Sequence, residues 1–280
     1  MTPNQPATAP PSRFWADLGT DDFASLDLGR TIAVLPVAAI EQHGPHLPLS
    51  VDADIARGVL QASLPHLPAD LPALFLPLQA VGFSPEHRAF AGTLSLSVDT
   101  LVRLWTDIAE GVAASGVRKL LIFNTHGGQV GALDLVARDL RARLDMLVYT
   151  SSWFNLPLLD AVGQDVMARF PAHEHRFGIH AGEIETALML ALHPERVRMD
   201  RAENFRSSSE QRARDFELLG NGRSAKLAWQ TQDLNPSGAV GNAAAATAAN
   251  GQAVLDAAGR ALARLLTEID RLPPDTLRRR

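Results

Sequence analysis

Residues Lys119 to Thr150 read KLLIFNTHGGQVGALDLVARDLRARLDMLVYT. The run KLLIF at its start predicts a buried strand, and MLVYT near its end predicts a second one. Between them, Val130 to Leu144 carries apolar residues at helical spacing after a glycine-rich turn. A strand, a helix and another strand in this order predict a crossover unit with parallel strands.

The same alternation extends along the rest of the chain. Further strands are predicted at Thr31 to Val37 and Ala73 to Leu78, and further helices at Val98 to Ala114, Leu156 to Phe170, Glu183 to Leu192 and Ala243 to Asp270. The pattern predicts an α/β fold, a single domain with a mainly parallel central sheet flanked by helices. We place this domain at residues 14–272, after a disordered leader (1–13) and before a flexible tail (273–280). The polar stretch Glu203 to Gly238 is expected to be an excursion or a lid.

Composition narrows the possible partners. The 280 residues carry a formal net charge of −5, and the longest basic run is three arginines at the end, which argues against a nucleic-acid partner. No run of 18 uncharged apolar residues predicts a membrane span, and the first residues lack the pattern of a signal peptide, so we expect a cytoplasmic protein. Because there are no cysteines, a bound metal would need His, Asp or Glu ligands.

A dense polar cluster follows the first predicted strand. It begins with Glu41, His43 and His46 and ends with Asp52 and Asp54. Imidazoles mixed with carboxylates are typical of hydrolytic Zn, Mn or Fe sites. The alternative is a polar loop with capping carboxylates, in which a helix begins near Asp52.

Two further clusters carry possible ligands or bases. His126 lies in the glycine-rich turn NTHGGQ, where a ligand or base role competes with a phosphate-binding turn. In HAGEIET, from His180, the side chains of Glu183 and Glu185 cannot face the same way, since two helical residues span about 200°. One would serve the helix dipole and the other would be a ligand or a partner of a ligand. Trp153, after the fourth predicted strand, is a candidate pocket wall.

Four motifs, in this order, resemble the creatininase (creatinine amidohydrolase) family. They are EQHGPHLPLxxD from Glu41, SxEHxxFxGT from Ser84, NTHGGQ from Asn124 and HAGEIET from His180. The resemblance implies a compact α/β domain, a hexameric homo-oligomer and two divalent metal ions, Zn or Mn, with Fe possible.

The resemblance also implies roles for individual residues. Asp52 would bridge the two metals, with Glu41 and His126 on one metal and His43 and Glu183 on the other. His180 and Glu183 are the expected catalytic residues. The expected substrate contacts are Trp153, Arg176, His87, Gly127 and Gly128.

The implied reaction is hydrolysis of a non-peptide amide C–N bond, in a cyclic amide or a formamide, by a metal-bound hydroxide. One branch of the family instead cleaves a peptide. Creatininase proper has a glutamate where this chain has Gly128 and a tryptophan where it has Arg176, so creatinine itself is not the expected substrate. Arg176 would suit an anionic small-molecule amide. The alternatives are a catalytically silent ligand-binding relative and a different metal enzyme on the same scaffold.

Overall fold

The computed structural model describes residues 10–278. At its centre is a parallel sheet with the strand order β2-β1-β3-β4. The strands are β1 (Ile32–Val37), β2 (Ala73–Phe75), β3 (Lys119–Asn124) and β4 (Leu147–Ser152). The chain is thus a single α/β domain with a parallel sheet flanked by helices, which confirms the predicted fold class.

Helices cover both faces of this sheet. Their bounds are α1 (Thr20–Ser25), α2 (Val51–Ser63), α3 (Val98–Ala114), α4 (Val130–Leu144), α5 (Ala172–Phe177), α6 (Glu183–Leu192), α7 (Ser209–Asp215), α8 (Thr231–Leu234) and α9 (Ala248–Asp270). Away from the main sheet, β5 (Asn204–Phe205) pairs antiparallel with β6 (Gly241–Asn242).

The side chains of β1 alternate between two apolar cores, as a strand period of two requires. Ile32 and Val34 belong to the core that contains buried residues of α2, α6 and α9. Ala33 and Leu35 belong to the opposite core, with buried residues of α3 and α4. Every residue of β1 is buried, which explains why the strand reads as an uninterrupted apolar run.

Several predicted elements have the expected bounds. The helices α3, α4 and α6 begin and end at the predicted residues. The final helix starts at Ala248, five residues later than predicted, because Thr247 caps it by accepting a hydrogen bond from the Asn250 amide. The helix α2 begins at Val51, close to the helix start of the alternative interpretation, but Asp52 lies inside the helix and no side chain caps it.

The predicted helix from Leu156 to Phe170 is wrong. The structure has short 3-10 turns at Trp153–Asn155 and Val166–Arg169, with irregular chain between them. The Asp160 side chain accepts hydrogen bonds from the amides of Val162 and Gln164, and Gly163 has a positive φ of 85°. This local turn competes with the apolar spacing that suggested a helix.

The predicted leader and tail lie partly outside the described residues, which exclude 1–9 and 279–280. Within the described part, the Arg13 carbonyl accepts a hydrogen bond from the Phe75 amide at 2.7 Å. The stretch Glu203 to Gly238, predicted as an excursion, contains β5, α7 and α8. In residues 10–278 no helix is long and apolar enough to cross a membrane.

Two helical glycines predict opposite effects of the same substitution. A Cβ at Gly251 of α9 would lie 1.8 Å from the Ala187 carbonyl oxygen of α6, whereas one at Gly111 of α3 would meet nothing within 4 Å. We expect Gly251→Ala to destabilise the fold by about 1–3 kcal/mol through overpacking. Gly111→Ala should stabilise it by about 0.5–1 kcal/mol, as expected for replacing glycine in an open helix. Urea denaturation of both variants beside wild type measures this, and a Gly251→Ala protein as stable as wild type would contradict the packing argument.

Candidate metal centre

The polar clusters meet at the carboxyl ends of β1 and β3. Glu41 and His43 lie in the loop after β1, and Asp52 is the second residue of α2. His126 follows β3, and Glu185 is the third residue of α6. All except Glu185 are almost fully buried, and the Glu185 side chain is 18% exposed. Parallel sheets bring binding residues together at this edge, and the structure does so here.

Two groups of atoms share Asp52. On one side, the Nδ1 atom of His126 lies 3.3 Å from Glu41 Oε1 and 3.6 Å from Asp52 Oδ2. On the other side, the Nε2 atom of His43 lies 3.9 Å from Asp52 Oδ1 and 3.9 Å from Glu185 Oε2. Each carboxylate oxygen of Asp52 therefore faces a different imidazole.

Several of these atoms are buried without a hydrogen-bond partner among the described residues. They are both carboxylate oxygens of Glu41, His43 Nε2 and Asp52 Oδ2. Burying such groups unpaired is costly, and the cost is much larger for an ionised carboxylate. Their convergence fits a divalent cation, whose charge would compensate the carboxylates and whose coordination would satisfy the imidazole nitrogens.

Backbone carbonyls orient both imidazoles toward the cluster. His43 donates from Nδ1 to the Glu41 carbonyl at 3.0 Å, and His126 donates from Nε2 to the Phe83 carbonyl at 3.1 Å. These bonds place the proton on the outer nitrogen of each ring. The inner nitrogen then faces the carboxylates, which is how metal-binding histidines are held. Burial lowers the pKa of His126, but the carboxylates of Glu41, Glu86 and Asp52 outweigh it and raise this pKa well above its ordinary value, so a cation would compete with a proton for the inner nitrogen.

The pKa shifts of these side chains, considered without a cation, also indicate that their charges are not compensated. Burial, with the nearby Glu41 carboxylate, raises the pKa of Asp52 well above its ordinary value. Burial and the neighbouring His180 lower the pKa of His43. Burial opposes ionisation of Glu41, but attraction to His126 outweighs it and lowers the Glu41 pKa. The cluster thus holds acceptor groups whose charges repel one another unless a cation lies between them.

Glu185 lies in the cluster and Glu183 does not, although the resemblance implies Glu183 as a metal ligand. Glu183 is in none of the described groups of side chains whose ligand atoms lie close enough to share an ion, whereas Glu185 forms one with His43 and Asp52. The Glu183 amide donates to Glu174 Oε1. Burial and the Glu174 carboxylate raise the Glu183 pKa. The phase of α6 decides the choice, because residues two apart point to opposite sides.

A cavity of about 480 Å³ opens above the cluster. The predicted contacts Trp153, His87, Gly127 and Gly128 line it, as does His180. Apolar side chains complete the walls: Phe154, Met167, Ile179, Ile184 and Trp229. Trp153 is buried, and its indole N–H has no hydrogen-bond partner among the described residues. It is therefore a free donor beside the cavity.

Arg176 does not line this cavity, although the sequence analysis predicts it as a substrate contact. Its side chain is exposed and donates to the Gly220 carbonyl at 3.2 Å. Its guanidinium carbon lies 4.9 Å from the ring centroid of Phe177, so the guanidinium makes a cation–π contact on the outer surface.

Two further histidines surround Glu41 Oε1. His87 Nε2 lies 3.2 Å from this oxygen and His180 Nδ1 lies 3.7 Å from it. Burial and the neighbouring His180 lower the pKa of His87 to about 3, so its ring is neutral. His180 donates from Nε2 to the Gln42 carbonyl at 2.8 Å, which leaves Nδ1 as the acceptor nitrogen. His180 is therefore placed to accept a proton at the cluster.

Glu86, Glu174 and Trp229 all line the cavity, although the sequence analysis does not assign them to the site. Glu86 belongs to the SxEHxxFxGT motif, and its carboxylate lies 3.4 Å from His126 Nε2. A Cβ at Gly128 would lie 1.8 Å from this carboxylate, so glycine makes room for it. Glu174 and Trp229 also line the cavity. Neither carries a sequence signal, because each reaches the site only through the folding of irregular or short segments.

Comparison with known proteins identifies relatives in sequence and a structure with a similar fold. The family model described as Creatinine amidohydrolase matches residues 16–266. A "Mycofactocin precursor peptide peptidase" of Mycobacterium tuberculosis is 33% identical over 264 residues, covering 91% of this chain and 93% of the relative. A "Creatinine amidohydrolase" of Pseudomonas putida is 32% identical over 190 residues, covering 64% and 70%. A solved structure titled "Creatininase Mn" shares the fold, with a TM-score of 0.69, 24% identity and coverage of 92% and 98%.

The two glutamates of α6 provide a direct test of the cluster. We expect Glu185→Ala to weaken binding of Mn²⁺ or Zn²⁺ by at least about tenfold, since it removes a carboxylate that faces His43 and Asp52. Glu183→Ala is the matched control on the same helix and should bind metal like wild type. Calorimetric titration of the metal-free proteins measures both affinities. Equal losses in the two variants, or a loss only in Glu183→Ala, would contradict the assignment.

Proposed function

Since the chain belongs to the creatininase family and is a hydrolase acting on carbon–nitrogen bonds, we propose that it hydrolyses a small, uncharged amide in a metal-dependent reaction. The substrate class is a non-peptide amide, a cyclic amide or a formamide, other than creatinine itself. One observation carries the proposal: imidazoles and carboxylates with unpaired buried atoms converge at the floor of a cavity with apolar walls.

The donor set fits two divalent cations. Glu41, His126 and one oxygen of Asp52 would hold the first. His43, Glu185 and the other oxygen of Asp52 would hold the second. The Glu86 carboxylate also lies close enough to Glu41 and His126 to share an ion with them. Imidazole and carboxylate ligands without thiolates suit Zn, Mn or Fe. Bound cations of this kind supply Lewis acidity, which activates water and polarises an amide carbonyl.

The protein's own groups supply proton transfer and exclusion of water. His180 carries its hydrogen on Nε2, which is bonded to the Gln42 carbonyl, and can accept a proton at Nδ1. From Nδ1 the same proton can pass to the leaving nitrogen of the amide, which makes His180 the proposed general acid–base residue. Glu183, named with it as a catalytic candidate, takes no part, because it does not line the cavity. The walls formed by Trp153, Ile184 and Trp229 limit the access of bulk water.

The charge of the cavity supports an uncharged substrate. Among the described residues that line it there is no lysine or arginine, and the carboxylates of Glu86 and Glu174 lie there in addition to the cluster. An anionic amide would therefore meet no positive side chain except a protonated histidine. With Arg176 on the outer surface, the expected preference for an anionic substrate has no support.

Peptide cleavage is a second candidate. It is supported by the 33% identity, over most of both chains, to a protein named as a peptidase. The apolar walls also suit the side chains of a peptide with apolar residues beside the scissile bond. Both candidates use the same metal centre, so they differ only in what the cavity accepts.

Metal loading and a substrate panel test the proposal together. We expect wild type to bind about two equivalents of Mn²⁺ or Zn²⁺. Loss of a residue that only hydrogen-bonds to a metal ligand typically weakens metal binding roughly 10–100-fold, and Asp52→Ala should weaken it by more than that. The loaded enzyme should hydrolyse uncharged cyclic amides or formamides faster than carboxylated analogues, and Arg176→Ala should not change this ratio. Elemental analysis measures the metal content, formate release measures hydrolysis of a formamide, and chromatography of the ring-opened product measures hydrolysis of a cyclic amide.

Each outcome of this panel decides between the candidates. Turnover confined to short apolar peptides would favour the peptidase candidate over the small-amide one. Absence of metal from wild type, even after incubation with Zn²⁺ or Mn²⁺, would reject the metal-dependent reaction. A rise in the ratio in Arg176→Ala, caused by slower turnover of the carboxylated analogues, would contradict the position of that side chain.

A further inference from the structure

Glu174, on α5, is a buried carboxylate whose partners are backbone amides. Its side chain is 2% exposed. One oxygen, Oε1, accepts a hydrogen bond from the Glu183 amide at 2.6 Å, and Oε2 accepts one from the Asn242 amide at 2.9 Å. Among the described residues, no lysine, arginine or histidine side chain forms an ion pair with Glu174. The two amides therefore carry the stabilisation of this carboxylate, one of them at a helix N-terminus, where negative charge is favoured.

Three glycines make room for this carboxylate. A Cβ built at Gly178, Gly182 or Gly241 would lie 2.1, 2.2 or 2.5 Å from Oε1. These glycines lie in three separate places, at the end of α5, before α6 and in β6. The backbone of all three therefore approaches one side chain more closely than any other residue would allow.

The two amides held by Glu174 belong to the segments that carry the site. Glu183 is the first residue of α6, and the cluster ligand Glu185 follows two residues later. His180 precedes the same helix and pairs with Val240, whose amide donates to the His180 carbonyl at 2.9 Å. Asn242 lies two residues beyond Val240. Glu174 therefore accepts hydrogen bonds from both backbone segments that pair at His180 and Val240. One of these bonds also fixes the first residue of the helix that carries Glu185.

We propose that Glu174 is a positioning residue for the metal centre, fixing the N-terminus of α6 so that Glu185 reaches His43 and Asp52. The part that concerns metal rests on the proposed function. A carboxylate is required because both oxygens accept from amides. Glutamine keeps the shape but replaces one acceptor with an NH₂ group, which would face a backbone N–H.

The test compares Glu174→Gln with Glu203→Gln, an exposed glutamate for which no side-chain contact is described. Titration of the metal-free proteins with Mn²⁺ should show a loss of about 10–100-fold in the weaker binding step for Glu174→Gln only. Hydrogen exchange of the metal-free proteins, read on peptides that contain Glu183 and Asn242, should accelerate by about tenfold or more in the same variant. Gly182→Ala, whose Cβ would displace the carboxylate, should reproduce both effects and serves if Glu174→Gln does not fold.

The two readouts separate this inference from the proposed function. Faster exchange with unchanged Mn²⁺ affinity would overturn the positioning role and leave Glu174 as a structural group. Unchanged exchange would overturn the inference whatever the metal titration shows. Wild type that binds no metal would reject the proposed function, and with it the positioning role, even if exchange at Glu183 and Asn242 responds.

Discussion

The parallel pairing of β1 with β3 places the two main clusters side by side. The register puts Val37 beside Asn124, so both chains leave the sheet at the same level. The Thr125 amide then donates to the Val37 carbonyl, and its hydroxyl donates to the Asp52 carbonyl at 2.8 Å. The turn after β3 is thereby tied to the start of α2. Through this contact Asp52 comes to lie between two imidazoles that are far apart in the chain.

The fold buries several carboxylates close together, and the free-energy cost of burying their charges must be offset. Two of them lie in the first turns of helices, Asp52 in α2 and Glu185 in α6, where the helix dipole favours negative charge. A third, Glu174, accepts the first amide of α6. Helix N-termini reduce the cost of burial but do not satisfy the atoms of Glu41 and Asp52 that remain unpaired. A cation at this position would complement these atoms, which is the physical basis of the proposed metal centre.

The cavity walls decide what reaches the cluster. They come from parts of the chain with little regular structure, such as the turn at Trp153 and the segment around Trp229. Loops on a rigid scaffold can vary without disturbing the sheet, so the same centre can serve different amides. The relatives of this chain carry different names, a peptidase and a creatinine amidohydrolase.

The sequence by itself determined the alternation of strands and helices, and hence the parallel sheet. It also marked the residue types of the site, because the β1 and β3 apolar runs and the polar residues directly after them are local signals. Only the tertiary structure decided between Glu183 and Glu185, since that choice depends on the rotation of α6 about its axis. It also placed Arg176 on the outer surface and replaced the predicted helix at Leu156 by a turn around Asp160. Glu86, Glu174 and Trp229 reach the cavity through the paths of loops and short helices, and such paths are set by packing over the whole domain and not by any local pattern.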